Sequence, residues 1–229
     1  MLKFTPIILA LAYGLAMYLF SVWRTTRELD ARSSELVDPR LTSVFDRLAA
    51  ALEVERVRVH LYEIEPVNGL AAPDGRVFLT RGFYNRYRSG EVSAEELASV
   101  VAHELGHVAL GHSRRRMIDF SGQNAIRVAL AMILGRFLPG IGVWVAGLVT
   151  TLLAARLSRG DEYEADAYAA ALMVKAGLGT APQKQLLEKL DKLVGIGGGP
   201  PAWLASHPRT PDRIAAIETL EQRWQIPTP

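Results

Sequence analysis

Hydrophobic and polar positions divide this chain into a small set of elements. From Pro6 to Trp23 almost every residue is apolar, with Tyr13, Tyr18 and Trp23 as interface-compatible aromatics, and Arg24 and Arg27 follow at once. Such a run is long enough for a helix that spans a bilayer. Between Ser33 and Leu52, Leu36, Leu41, Val44, Phe45 and Leu48 recur at helical spacing with Pro39 near an early turn, which predicts an entry helix. Val57, Val59 and Leu61 alternate with Arg58, His60 and Tyr62, the period of a half-buried strand, and His60 then sits on its exposed face. Asn68-Gly69 and Pro73-Asp74-Gly75 are turn chemistry ahead of a second strand, Arg76 to Thr80. Ser93 and Glu96 form an S-x-x-E capping box, and Leu97, Val100, Val101, Leu105 and Val108 continue from it as a helix toward Arg116. A second apolar stretch, Ala125 to Leu157, is interrupted by Arg136, Pro139 and Gly140, and Ile214, Ile217 and Leu220 mark a final helix. The expected class is α+β, mainly α, with a small sheet ahead of one well-specified helix.

Length, charge and cysteine usage narrow this further. A chain of 229 residues has room for one sizeable core plus a membrane element. A net charge of +2, with Arg114-Arg115-Arg116 as its tight basic cluster, speaks against nucleic-acid binding. With no cysteine, thiolate metal sites, disulfide frameworks and cysteine nucleophiles are excluded. The Pro6–Trp23 run exceeds the apolar core of a signal peptide and lacks a small-x-small site at its end, so an uncleaved single-pass anchor contacting lipid through residues 6–23 is expected. Lys3 precedes it while Arg24, Arg27 and Arg32 follow, which leans toward a cytoplasmic catalytic domain. The arm Val128 to Leu138 would rise only about 16 Å as a helix, too short for a second pair of spans. A helical hairpin over 125–157, packed in the domain, dipping into the membrane or roofing a cleft, fits better. The expected division is 1–32 for the anchor and juxtamembrane segment, 33–225 for the domain and 226–229 for a tail.

The chemistry centres on His103-Glu104-Leu105-Gly106-His107. On a helix the two imidazoles, four residues apart, project from one face and can share a zinc ion, and Glu104 can act as the base for a water molecule. Gly106 costs about 1 kcal/mol relative to alanine inside a helix, which predicts the close approach of another element there. A catalytic zinc needs a third protein ligand and an open position. The extended pattern H-x-x-G-x-x-H fails, since Leu110 and Ser113 stand where it needs Gly and His. Helical geometry carried past His107 turns His112 away from the shared face, as an exposed or capping residue. Asp161-Glu162-Tyr163-Glu164-Ala165-Asp166 places Glu162 and Asp166 at i and i+4 with Glu164 turned elsewhere. Glu162 is therefore expected as the third ligand, and Asp166 as the acceptor that orients a ligand histidine by its other ring N–H. His207-Pro208, fixed before the last helix by Pro208 and Pro211, could donate to the oxyanion of a tetrahedral intermediate or cap the open metal position. Gly195 and Gly197-Gly198-Gly199 make the preceding loop suited to a lid.

Taken in order, these residues resemble the HtpX and CaaX-prenyl-protease type of gluzincin metallopeptidases. The resemblance covers roughly Leu52 to the last helix and rests on Asn68, Ala71, Pro73 and Gly75, then His103 to His107 with Gly111-His112, then Glu162-x-x-x-Asp166, then His207-Pro208 with Arg213. It implies a zincin-like domain with a small edge sheet and one Zn2+ per chain on His103, His107 and Glu162. It also implies Glu104 as general base and Asp166 and Arg213 as supports. The resemblance further implies that a protein or peptide substrate adds as an antiparallel strand at Asn68 and Ala71. Gly69-Leu70 departs from the usual Ala-Phe at that place. The implied activity is zinc-dependent endopeptidase cleavage of misfolded or membrane-associated proteins. The competing reading is a membrane-tethered chaperone-like or latent binding module whose zinc site stays closed.

Overall fold

The computed structural model describes residues 5–72, 74–112, 134–138, 141–194 and 210–224. Its elements are α1 (Thr5–Arg32), β1 (Ser33–Glu35), α2 (Pro39–Leu52), β2 (Val59–Tyr62), β3 (Gly69–Ala71), β4 (Val77–Thr80), α3 (Arg81–Arg88), α4 (Ala94–Ala109), α5 (Gly142–Lys175), α6 (Ala181–Val194) and α7 (Thr210–Trp224). The α+β, mainly helical class is the one the pattern predicts.

The entry helix begins later than its apolar spacing suggests. Asp38 accepts from the Arg40 amide at 2.9 Å and Pro39 occupies the first turn, so the helix starts there. The segment before it, Ser33–Glu35, instead pairs antiparallel with β2. Asn68-Gly69 likewise opens a strand rather than a turn, since Gly69 to Ala71 pair antiparallel with β4. The sheet order is β1-β2-β4-β3, with β2 and β4 parallel and β3 at one edge. His60 is half-buried against Phe78, with ring centroids 5.1 Å apart, rather than exposed.

One core joins sheet and helices. Leu41, Val44 and Leu48 of α2, Val77 and Leu79 of β4, Leu97 and Val101 of α4, Met173 of α5, Leu190 of α6 and Ile217 of α7 are all buried in it. Each side chain of this kind contributes about 1.5–3 kcal/mol on burial, so α4 is held on every side. The capping box starts α4 as expected, with Ser93 N–H donating to Glu96 at 2.8 Å and Glu96 N–H to the Ser93 hydroxyl at 3.1 Å. Lys189 of α6 then pairs with the buried Glu96 carboxylate at 2.7 Å.

Two expectations change here. The second arm of the hairpin does not stop at Leu157: α5 is one unbroken helix of 34 residues, about 51 Å long, that carries the apolar segment straight into the acidic motif. Residues 125–133 lie outside the described residues. Among the described residues no helix is long and apolar enough to cross a membrane, so the expected span over 6–23 is not found there. On α1, Tyr13, Leu15, Leu19, Phe20 and Trp23 are exposed, while Leu29 is buried beside the sheet.

Candidate metal centre

Two helices build the site. On α4, His103 and His107 sit one turn apart with their rings in an edge-on arrangement, centroids 4.8 Å apart at 86°. On α5, Glu162 and Asp166 occupy one face, and the two helices cross at Gly106. A β-carbon there would lie 3.1 Å from the Ala165 carbonyl oxygen and 3.2 Å from Tyr168 Cβ. The glycine inside the motif thus admits the partner helix, as its helix cost implied.

His103, His107 and Glu162 form a group that could hold a metal ion, their ligand atoms lying within 4.8 Å of one another. The two Nε2 atoms are 3.1 Å apart, His103 Nε2 is 3.4 Å from one Glu162 oxygen, and His107 Nε2 is 3.5 Å from the other. A tetrahedral zinc with bonds of about 2.0–2.1 Å has ligand–ligand edges of about 3.3 Å, close to the separation of the two Nε2 atoms, and the Glu162 carboxylate turns one oxygen toward each ring. The donor set also fits. His103 Nδ1 stands 3.0 Å from Asp166 Oδ1, which places the ring proton on Nδ1 and leaves Nε2 a lone pair. Glu162 is wholly buried, and a buried carboxylate facing two imidazole lone pairs calls for a cation.

Arg213 of α7 closes the back of the site with a two-pronged pair, its Nε and Nη2 each 2.6 Å from an oxygen of Asp166, and both side chains are buried. Burial alone would lift the Asp166 carboxyl, but the Arg213 guanidinium and the His103 imidazole hold it well below the usual carboxylate range. Burial works to lower His103, yet without a metal its bonds to Asp166 and Glu162 push it up to about 9, so a metal on Nε2 would bind in place of a proton. Thr180 and Lys184 grip the buried Glu221 and so tie α7 to the chain around α6.

Glu104 is buried on the sheet side of α4. A β-carbon on Gly69 would lie 3.2 Å from its Oε1 and only 2.6 Å from Val100 Cγ1. The absence of a side chain at Gly69 therefore lets edge strand β3 lie directly against the motif helix, which gives the departure from Ala-Phe a physical meaning. Asn68, just before β3, has a buried side-chain oxygen without a hydrogen-bond partner among the described residues. Ala71 pairs in register with Val77. His207 and Pro208 lie outside the described residues.

His112 is not exposed. It is fully buried, its Nδ1 2.9 Å from His107 Nδ1 and its Nε2 3.2 Å from Glu164. Regular helical spacing does not apply to it, because α4 ends at Ala109 and Gly111 takes a left-handed conformation (φ +70°). Burial draws His112 below its ordinary value, against the raising influence of Glu164 and Asp161. The Gly111-His112 pair after the motif was the available signal for it.

Comparison with known proteins agrees with this geometry. A family model described as peptidase family M48 matches residues 35–221. The chain is 30% identical over 178 residues to the metalloprotease LoiP of Escherichia coli, covering 78% of this chain and 68% of that protein. It is 28% identical to a protease HtpX homolog of Leptothrix cholodnii, with 86% and 77% covered. To the beta-barrel assembly-enhancing protease of Yersinia pestis it is 29% identical over 82% of this chain but only 40% of that protein's length.

Proposed function

The chain belongs to peptidase family M48 and is a zinc metalloendopeptidase, and from that premise we propose that His103, His107 and Glu162 hold the zinc and that Glu104 is the general base. The observation that carries this is the trio of ligand-atom separations, 3.1, 3.4 and 3.5 Å, on two helices locked together at Gly106. Zinc, when bound, polarises the scissile carbonyl and makes water more acidic. Glu104 takes the proton of the attacking water and delivers it to the amide nitrogen of the leaving strand. Asp166 accepts the His103 Nδ1 proton, and Arg213 holds Asp166 in place.

The substrate is an extended protein segment added to β3. Support comes from the position of β3 at the sheet edge against α4, and from the buried, unpartnered Asn68 oxygen among the described residues. Strand addition reads backbone, so misfolded or locally unfolded proteins suit it better than compact ones. Asn68 and Ala71 are the positions assigned to that contact. His207 is assigned to the same site, as a donor to the oxyanion or as a cap on the open metal position. The exposed apolar side chains of α1 support lipid contact by that helix. Sedimentation with anionic lipid vesicles tests it, expecting loss on Leu15→Glu/Phe20→Glu; unchanged sedimentation contradicts it.

Glu104→Gln tests the reaction. Zinc content should stay at one per chain while cleavage of unfolded casein falls by about 100- to 10,000-fold. Cleavage at the wild-type rate refutes the assignment of the base.

A further inference from the structure

The described residues hold a second group with metal-ligand character, His112, Asp161 and Glu164, and it meets the first where the His107 and His112 rings touch. That contact is between two ring nitrogens, His107 Nδ1 and His112 Nδ1, 2.9 Å apart. A hydrogen bond between two imidazole nitrogens needs one proton, not two and not none. If His107 gives Nε2 to the zinc, its neutral ring carries the proton on Nδ1, and His107 must be the donor. His112 must then accept at Nδ1. Its own proton is left on Nε2, where Glu164 Oε2 lies at 3.2 Å and Asp161 Oδ1 at 3.8 Å.

We propose that His112 is a positioning residue for the zinc site: a neutral imidazole, protonated on Nε2, that accepts the His107 ring proton and is itself held by Glu164. This rests on the metal assignment above. One consequence is exclusion. A protonated Nε2 has no lone pair for a metal, so the His112, Asp161 and Glu164 group is not a second metal site while the first is loaded. The other consequence is parity between the two ligand histidines. His103 is oriented by a carboxylate on α5, and His107 by an imidazole that a carboxylate on the same helix orients in turn. Both supports fix a ring by its remote nitrogen, which in metal sites is worth roughly 10- to 100-fold in affinity.

The test uses the full chain and zinc affinity measured by chelator competition. His112→Phe keeps the volume and removes the acceptor, and should weaken zinc about 10- to 100-fold. His112→Gln, whose amide can accept from His107 and donate to Glu164, should recover most of that loss. Thermal unfolding of the metal-free proteins establishes that each variant is folded. Zinc affinity of His112→Phe equal to wild type, or a wild-type stoichiometry of two with one ion lost in His112→Phe, overturns the proposal. His103→Ala run alongside separates the two levels: unchanged affinity there refutes the metal assignment itself, whereas a loss there with none in His112→Phe refutes only the role of His112. Long-range 15N–1H correlation of the zinc-loaded wild type needs no variant. It should show His107 protonated on Nδ1 and His112 on Nε2, and His112 protonated on Nδ1 contradicts the proposal.

Discussion

The two ligand histidines stand one helical turn apart and are supported in opposite ways. His103 is backed by Asp166, 63 positions away in sequence, and Asp166 by Arg213 on the last helix; all three are buried, and the two supports carry opposite charges. His107 is backed by His112, five positions away, and His112 by Glu164, whose side chain is 60% exposed. The first support is assembled by tertiary structure and depends on α4, α5 and α7 together. The second is made by a local turn and ends in solvent. The same chemical task, holding a ring by its remote nitrogen, is thus met once by a buried ion pair and once by a neutral contact.

That contrast predicts unequal costs. Arg213→Met leaves Asp166 as a buried carboxylate with its strongest partner gone, and breaking such a pair costs about 3–5 kcal/mol. Urea unfolding of the metal-free protein should show this loss, and adding Asp166→Asn should recover much of it. A loss within 1 kcal/mol would mean that the buried pair is not what anchors α7. On the other side, Gly111→Ala forces a left-handed conformation on a residue with a β-carbon, at about 1–2 kcal/mol, and displaces the turn that delivers His112. Gly90 also has positive φ, 80°, with nothing near its Cβ direction, and lies away from the site. Gly90→Ala should therefore cost similar stability but leave zinc affinity unchanged, while Gly111→Ala weakens zinc. Equal zinc affinity in the two variants would break the link between the turn and His107.

The same contrast explains what could be read from residues alone. HExxH on a capped helix, the Glu162 and Asp166 pair on one face, and the contact implied by Gly106 are all repeat or spacing signals within single helices, and they were legible. His112 is not legible in this way, because 100° per residue holds only as far as Ala109 and Gly111 ends the regular geometry. Asp38-Pro39 marked a helix start, but the apolar spacing upstream masked it, and Asn68-Gly69 reads as a turn until β4 is there to pair with it. The parallel pairing of β2 with β4 has no local signature at all, because it is decided by packing against α4 and α2. Arg213 could be singled out by its place after His207-Pro208, but not the buried partner it meets, since that contact spans 47 positions.

The central claim is that the metal belongs to Glu162 and not to its neighbours on the same helix. Zinc content of the purified chain, measured by elemental analysis for wild type, Glu162→Ala and Glu164→Ala, tests it most directly. The account predicts one zinc per chain in the wild type and in Glu164→Ala, and a large loss in Glu162→Ala. Full zinc in Glu162→Ala, or its loss only in Glu164→Ala, would contradict it.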